Sequence, residues 1–147
     1  MAMAQALNTY DAQFNHRLVD ELREERHQVW SLYCKVAEQK PFRRKSQTLN
    51  LLNQFSQILI DYISLGHFGI YEHLLSEQSK AYLVATAEQI YPEFSAITEA
   101  AVQFNDKYDE NNPDLSMESL ESDLSQLGEK LAQRIDLEDM LCKLVLQ

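Results

Sequence analysis

An all-α fold, an up-down four-helix bundle with an additional short helix, is what the sequence predicts, and three observations carry that expectation. Glycine and proline number three each in 147 residues, whereas a sheet protein of this length needs many turns, which those residues supply. Hydrophobic residues make up 45% of the chain, ordinary for a protein that builds a core and too high for a disordered one. Apolar residues also recur at three- and four-residue steps through four stretches, the period of a helix with one buried face. Long helices with short joins pack as antiparallel neighbours, and residues 1–147 are expected to form a single helical-bundle domain.

In the first stretch Phe14, Leu18, Leu22, Val29, Tyr33 and Val36 keep the helical steps with one skipped turn, and Asp20, Arg23, Glu24 and Arg26 form the charged opposite face. Lys40-Pro41 stops this helix, and Phe42 to Lys45 make a short basic connection. Ser46 is the expected N-cap of a second helix running to about Glu77, with Leu49, Leu52, Phe55, Leu59, Tyr62, Ile63 and Ile70 as its core stripe. A further start near Ser79 leads through Tyr82, Leu83 and Ala87 to Ile90, where Pro92 should break or kink the chain. Beyond it Phe94, Ile97, Ala101, Phe104 and Tyr108 repeat at coiled-coil-like spacing. Asp106 to Asp114 reads as a loop, after which Asn112 with Pro113, or else Ser116, would cap a last helix. Leu120, Leu124, Leu127, Leu131, Ile135, Leu141 and Val145 are its expected core.

No apolar run is long enough to span a membrane, and Met1 to Ala4 lack the basic and apolar regions of a secretory signal. A soluble cytoplasmic protein is therefore expected. Cys34 and Cys142 each lie among core-type residues and read as small buried hydrophobes in a reducing compartment. The net charge is −10. Residues 1–45 carry eight basic and six acidic side chains, which leaves five basic against seventeen acidic in the remainder. Such a body repels phosphate backbones, so direct nucleic-acid binding is not expected, and it attracts basic proteins. Solubility alone would also account for the acidity.

The segment from Ile58 to Leu75 differs from an ordinary surface helix, which needs one apolar stripe. Leu59, Tyr62, Ile63, Gly66 and Ile70 supply that stripe, while Asp61, Ser64, Leu65, Phe68, Tyr71, Glu72 and Leu75 form a second beside it. Gly66 and Gly69 each cost about 1 kcal/mol against alanine inside a helix, which points to a close approach at this segment. Two readings stay open on periodicity alone. Either another part of the chain, such as the region around Ile90 or the N-terminus, covers the second stripe, or the stripe meets another protein.

Catalytic and metal chemistry finds no support in the residues. Di-metal bundles need paired Glu-x-x-His units on facing helices, and only Glu24-x-x-His27 fits. Gly66-His67-Phe68-Gly69 matches a bare GxxG, but that RNA-binding loop needs an α/β fold and basic neighbours. Glu138-Asp139 could hint at an acid-base pair, although Arg134 and Lys143 one turn away offer simple pairing on the helix surface. No phosphate loop or hydrolase signature occurs. No enzyme activity, metal or cofactor is expected.

The string Asp61-Tyr62-Ile63-Ser64-Leu65-Gly66-His67-Phe68-Gly69-Ile70-Tyr71-Glu72 resembles the central signature of the Rsd/AlgQ family, the regulators of sigma D. Leu127 to Leu141 resembles the family's final helix, and Val29 to Pro41 the end of its first. The likeness runs in order over most of the chain and weakens at residues 1–15, Phe42 to Ser46 and Asp106 to Ser119. The resemblance implies an anti-sigma factor that binds the bacterial housekeeping, sigma-70-type sigma factor. It would engage mainly the C-terminal −35-recognition region and keep that factor from core RNA polymerase and promoter DNA. Asp61, Ser64 and Phe68 fall at the matching sigma-binding motif, and helical phase adds Leu65, Tyr71 and Glu72. Other signalling proteins are further candidate partners, and a monomer or weak dimer is expected when free. The alternative is a helical adaptor or homodimeric scaffold that binds a different basic protein.

Overall fold

The computed structural model describes residues 2–72 and 81–146, and the side chains of residues 2–12, His67, Phe68, Tyr82 and Leu83 lie outside the described set. The elements are α1 (Ala2–Ala37), α2 (Ser46–Ser64), a π-helix (Leu65–Tyr71) continuing directly from α2, α3 (Ala81–Lys107) and α4 (Leu120–Val145). The described residues contain no strand. The expected all-α class holds. The start near Ser79 falls outside the described residues.

Cross-chain bonds give the topology. Tyr33 stacks edge-on against Phe55, and the Leu18 side chain lies beside Gly69, so α1 and α2 run antiparallel. The Asn105 amide donates to the Ser56 carbonyl at 3.0 Å, while Tyr71 stacks on Phe94, which turns α3 back along α2. Tyr108 donates to Asp123 and Arg134 to Thr98, so α4 runs opposite to α3. Asn15 donates to the Val145 carbonyl and Tyr33 to that of Leu124, which closes α4 against α1. Each helix is antiparallel to its neighbours, as an up-down bundle requires.

The core follows the sequence stripes closely in α2 and α3. Leu52, Phe55, Leu59, Tyr62, Ile63 and Ile70 are buried, as are Phe94, Ile97, Ala101, Phe104 and Tyr108. Trp30, Tyr33, Phe55, Phe104 and Tyr108 form a chain of ring contacts 4.7–6.1 Å apart across α1, α2 and α3. In α1, Leu18, Val19, Leu22, Val29, Leu32 and Val36 face inward, whereas Phe14 is exposed and Tyr33 half-buried. Tyr33 needs its edge position because its hydroxyl crosses to the Leu124 carbonyl at 2.8 Å. A Cβ at Gly128, one turn on, would collide with that hydroxyl.

The helix ends correct several expectations. Lys45, in extended conformation, holds the N-cap position of α2, and Ser46 is the first helical residue. Ser119 precedes α4 without a side-chain cap. Asn112 and Ser116 are used earlier, accepting from the Asp114 and Glu118 N–H groups in local turns. Those bonds compete with capping and delay the helix to Leu120. Pro92 does not break α3, which runs through it. Pro92 and Glu88, whose carbonyl loses its helical partner, both lie on the exposed side of the helix, away from the core. Cys34 is also corrected: it is exposed, and only Cys142 is buried.

Candidate functional site

The helix that was apolar on two sides is two kinds of helix. Up to Ser64 the backbone is α-helical, and Asp61 lies exposed with Ser64 and Leu65 half-buried beside it. From Leu65 to Tyr71 the ladder changes to i→i+5 bonding. Each such turn holds about one residue more than an α-turn, so side chains after it fall behind the 3.6-residue phase. That slip moves Tyr71 out of the second stripe and into the core. It is 4% exposed, stacked on Phe94 at 5.9 Å and packed against Tyr91 at 5.3 Å. The expectation that Tyr71 belongs to the binding face is therefore corrected. The region around Ile90 covers that part of the stripe, while Glu72 stays exposed. The Phe68 side chain and Leu75 lie outside the described residues.

Beneath this face sits a buried ionic centre. Arg134 is 0% and Glu138 1% exposed. The Arg134 Nε donates to Glu138 Oε2 at 3.0 Å, Nη1 to Thr98 Oγ1 at 2.7 Å and Nη2 to the Ile63 carbonyl at 3.2 Å. Its guanidinium also lies over the Phe94 ring, 4.0 Å from the centroid, a cation–π arrangement strengthened by exclusion of water. Arg26 reaches in from α1 to Glu138 Oε1 at 3.2 Å and Asp139 Oδ1 at 3.0 Å, and the Tyr62 hydroxyl donates to Glu138. Glu138 thus joins α1, α2 and α4. Burial pushes its carboxyl above the usual carboxylate range, against the charge of Arg134, the Tyr62 hydrogen bond and the charge of Arg26. Burial, then the Glu138 charge, drives the Tyr62 phenol well above its ordinary value.

The ionic centre explains one glycine of the motif. A Cβ at Gly66 would stand 3.0 Å from Arg134 Nη2 and 3.1 Å from Glu138 Oε2, so a side chain there would crowd the pair and glycine leaves it room. Ile63 supplies its carbonyl to Arg134 at the junction where α-helical bonding gives way to π. The arginine therefore supports the helix at the place where its ladder shifts.

Sequence reasoning missed this centre by placing Ile135 in the core and Arg134 with Glu138 on the surface. Ile135 is only half-buried. Lys143 makes no described pair with Asp139, which bonds Arg26 instead. The signal was present, since Leu131, Arg134, Glu138, Leu141 and Val145 continue the stripe at 3-4-3-4 steps. Arg26, assigned to the charged outer face, is 15% exposed and turns inward.

The outward face has a different character. Burial raises the Glu25 carboxyl, helped by the charge of Glu21 one turn earlier on α1 and that of Asp61 across the α1–α2 seam. Asp61 has no cationic partner among the described residues. Among those residues no group of three or more His, Cys, Asp or Glu is placed to hold a metal ion, and no helix is long and apolar enough to cross a membrane.

Among the described residues the chain is a helical bundle that seals paired charges inside and leaves Asp61 without a cation on an outward helix face. More narrowly, the chain belongs to the Rsd/AlgQ family, whose model, described as "Regulator of RNA polymerase sigma(70) subunit, Rsd/AlgQ", matches residues 3–146. Among curated relatives it is similar to a regulator of sigma D from Enterobacter sp. (strain 638), 36% identical over 90% of this chain and 82% of that protein. The regulator of sigma D of Shigella dysenteriae serotype 1 is 33% identical, covering 90% of this chain and 85% of its own length. That of Yersinia enterocolitica is 32% identical, covering 86% and 79%. No solved structure matches the chain.

Proposed function

We propose that this chain is an anti-sigma factor that binds the bacterial housekeeping, sigma-70-type sigma factor, mainly at its C-terminal −35-recognition region. It thereby keeps that factor from core RNA polymerase and promoter DNA. The observation that carries the reading is Asp61, an exposed carboxylate with no cationic partner among the described residues, on the outward face of the motif helix with Ser64 beside it. A −35-reading domain is a helix-turn-helix module with a basic surface for phosphates. An acidic helix face is a direct competitor for that surface, and charge speeds the encounter. The names of the relatives, regulators of sigma D, support the same partner.

The contact set is Asp61, Ser64, Leu65, Phe68 and Glu72, without Tyr71. Action is by occupation in a one-to-one complex in the cytoplasm, with no bond made or broken and no cofactor. Co-purification and calorimetric titration with the cognate sigma factor test it. Phe68→Ala is expected to cost about 2–4 kcal/mol of binding, as loss of an aromatic anchor does, and Asp61→Ala less. Unchanged affinity in both variants, with the helical spectrum intact, overturns the assignment.

A further inference from the structure

One buried pair on α4 grips the inner side of the motif helix at three points. The Tyr62 hydroxyl donates to Glu138, the Ile63 carbonyl accepts from Arg134 Nη2 at 3.2 Å, and Gly66 passes so close that a Cβ there would crowd both side chains. Tyr62 and Ile63 lie in the last turn of α2, and Gly66 is the second residue of the π-helix. The grip therefore spans the step at which the ladder changes. Arg134 reaches the far end of the π-helix as well. Its guanidinium lies over the Phe94 ring, and Tyr71, the last π-helical residue, stacks on that same ring.

Wide turns are rare because α-bonding is the more favourable closure, so something outside the ladder must hold this one. A side chain that bonds a helix carbonyl from the flank intrudes on the ladder at that carbonyl, and helices depart from regular geometry at such intrusions. A guanidinium bond is also roughly twice as strong as a neutral one. Arg134 is itself fixed, through Nε by Glu138 at 3.0 Å and through Nη1 by Thr98 at 2.7 Å. Without the grip, α-bonding carried through residues 65–71 would advance Tyr71 by about 100°. That rotation takes it off Phe94 and onto the outer face, and the motif residues before it turn too.

We propose that Arg134 and Glu138 are positioning residues for partner binding. From inside the bundle they hold the motif helix in its π register, and the register decides which side chains follow Asp61 and Ser64 on the outer face. Neither can touch a partner, since they are 0% and 1% exposed. The inference rests on the reading that this face binds the sigma factor, and it adds residues whose contribution to affinity passes through helix geometry alone.

The test replaces Arg134 by Met and Glu138 by Leu together, which removes the grip without leaving a lone charge inside, because Arg26 keeps Asp139. With its helical spectrum and a cooperative urea transition retained, this variant should bind the sigma factor's −35-recognition domain at least about tenfold more weakly. A second measurement needs no sigma factor. In NMR the Tyr71 ring protons, shifted by the stacked Phe94, should move toward the positions of an exposed tyrosine. Couplings across the hydrogen bonds of residues 65–71 should change from a fifth-residue to a fourth-residue pattern. Leu120→Ala, a cavity at the other end of α4, should lower the unfolding midpoint and leave affinity and Tyr71 signals as they were. Where the double replacement does not fold, Gly66→Ala, which sets a methyl between helix and pair, should produce the same two changes.

Unchanged affinity in the folded variant, weaker binding with Tyr71 signals as in the wild type, or equal weakening by Leu120→Ala would each overturn the proposal. A wild-type chain that does not bind the sigma domain would instead overturn the functional reading, while displaced Tyr71 signals in the variant would leave control of the register standing.

Discussion

The ionic centre and the groove that Ile60 and Asp61 of α2 line together with Asn105 and Asp106 of α3 lie on opposite sides of α2 and use the same chemical groups to opposite ends. Inside, Glu138 is met by Arg134, Arg26 and Tyr62, and Arg134 spends its donors on Glu138, Thr98 and Ile63. Outside, Asp61, Asp106 and Asp109 meet no cation among the described residues. Charges that satisfy one another fix how helices sit together. Charges left over describe what the protein is built to meet. The contrast also shows why a net charge of −10 is uninformative by itself, since the surplus counts only where the fold has not already neutralised it.

The comparison breaks most visibly at Arg134. Arg134→Met leaves buried Glu138 with Arg26 and Tyr62 alone and takes the donor from the Ile63 carbonyl, and should lower stability by about 3–5 kcal/mol in urea unfolding. Replacing Glu138 by Leu in the same chain should recover a substantial part of that loss, since a buried pair exchanged for apolar groups is often near neutral. A single-variant loss below about 1 kcal/mol would mean that the centre is not sealed. Gly66→Ala is the next sharper probe, because it drives a methyl between the motif helix and the centre. Alanine would ordinarily gain about 1 kcal/mol in a helix. Here we expect a net loss of about 1–2 kcal/mol, as overpacking typically costs, together with weaker sigma binding as the π-helix is pushed outward. A stabilised Gly66→Ala protein would show that the contact yields freely.

The smallest effect is chemical rather than energetic. Cys142 lies behind the centre, where burial and the Glu138 charge push its thiol up to about 11, while Cys34 is exposed on α1. A maleimide reagent at pH 8, followed by mass spectrometry, should label Cys34 alone in the native protein, because the thiolate is the reactive form. Both should react in urea. Rapid native labelling of Cys142 would place the interior side of the comparison in doubt.

Much of the fold could be read from the sequence because its stripes are long and apolar. The runs in α2 and α3 were legible almost residue by residue, from Leu52 to Ile63 and from Phe94 to Tyr108. The failures share a physical cause. Periodicity assumes that charged residues face water, so Arg26, Arg134 and Glu138 were assigned outward although they keep the core phase. It also assumes 3.6 residues per turn, so Tyr71 was assigned to the outer face across a segment that does not obey that spacing. The motif residues Asp61 and Ser64 came from resemblance to a family. The groove formed with Asn105 and Asp106 could not come from either source, because it depends on which helix packs beside α2.

The π-helix has a consequence for length as well as for phase. A segment that carries extra residues in its turns can lose one and still close as an ordinary α-helix, and cooperative α-bonding would favour that closure. Deleting a single residue between Leu65 and Ile70 would then leave the helix continuous and everything after it in nearly its present direction, with Tyr71 still turned toward Phe94, because the deletion removes only the residue that the wider turns absorb. A one-residue deletion in α2 before Leu65, where the turns are already α-helical, would instead rotate the following face by about 100°. The π-helix is therefore a place where chain length can change by one residue without turning the recognition surface.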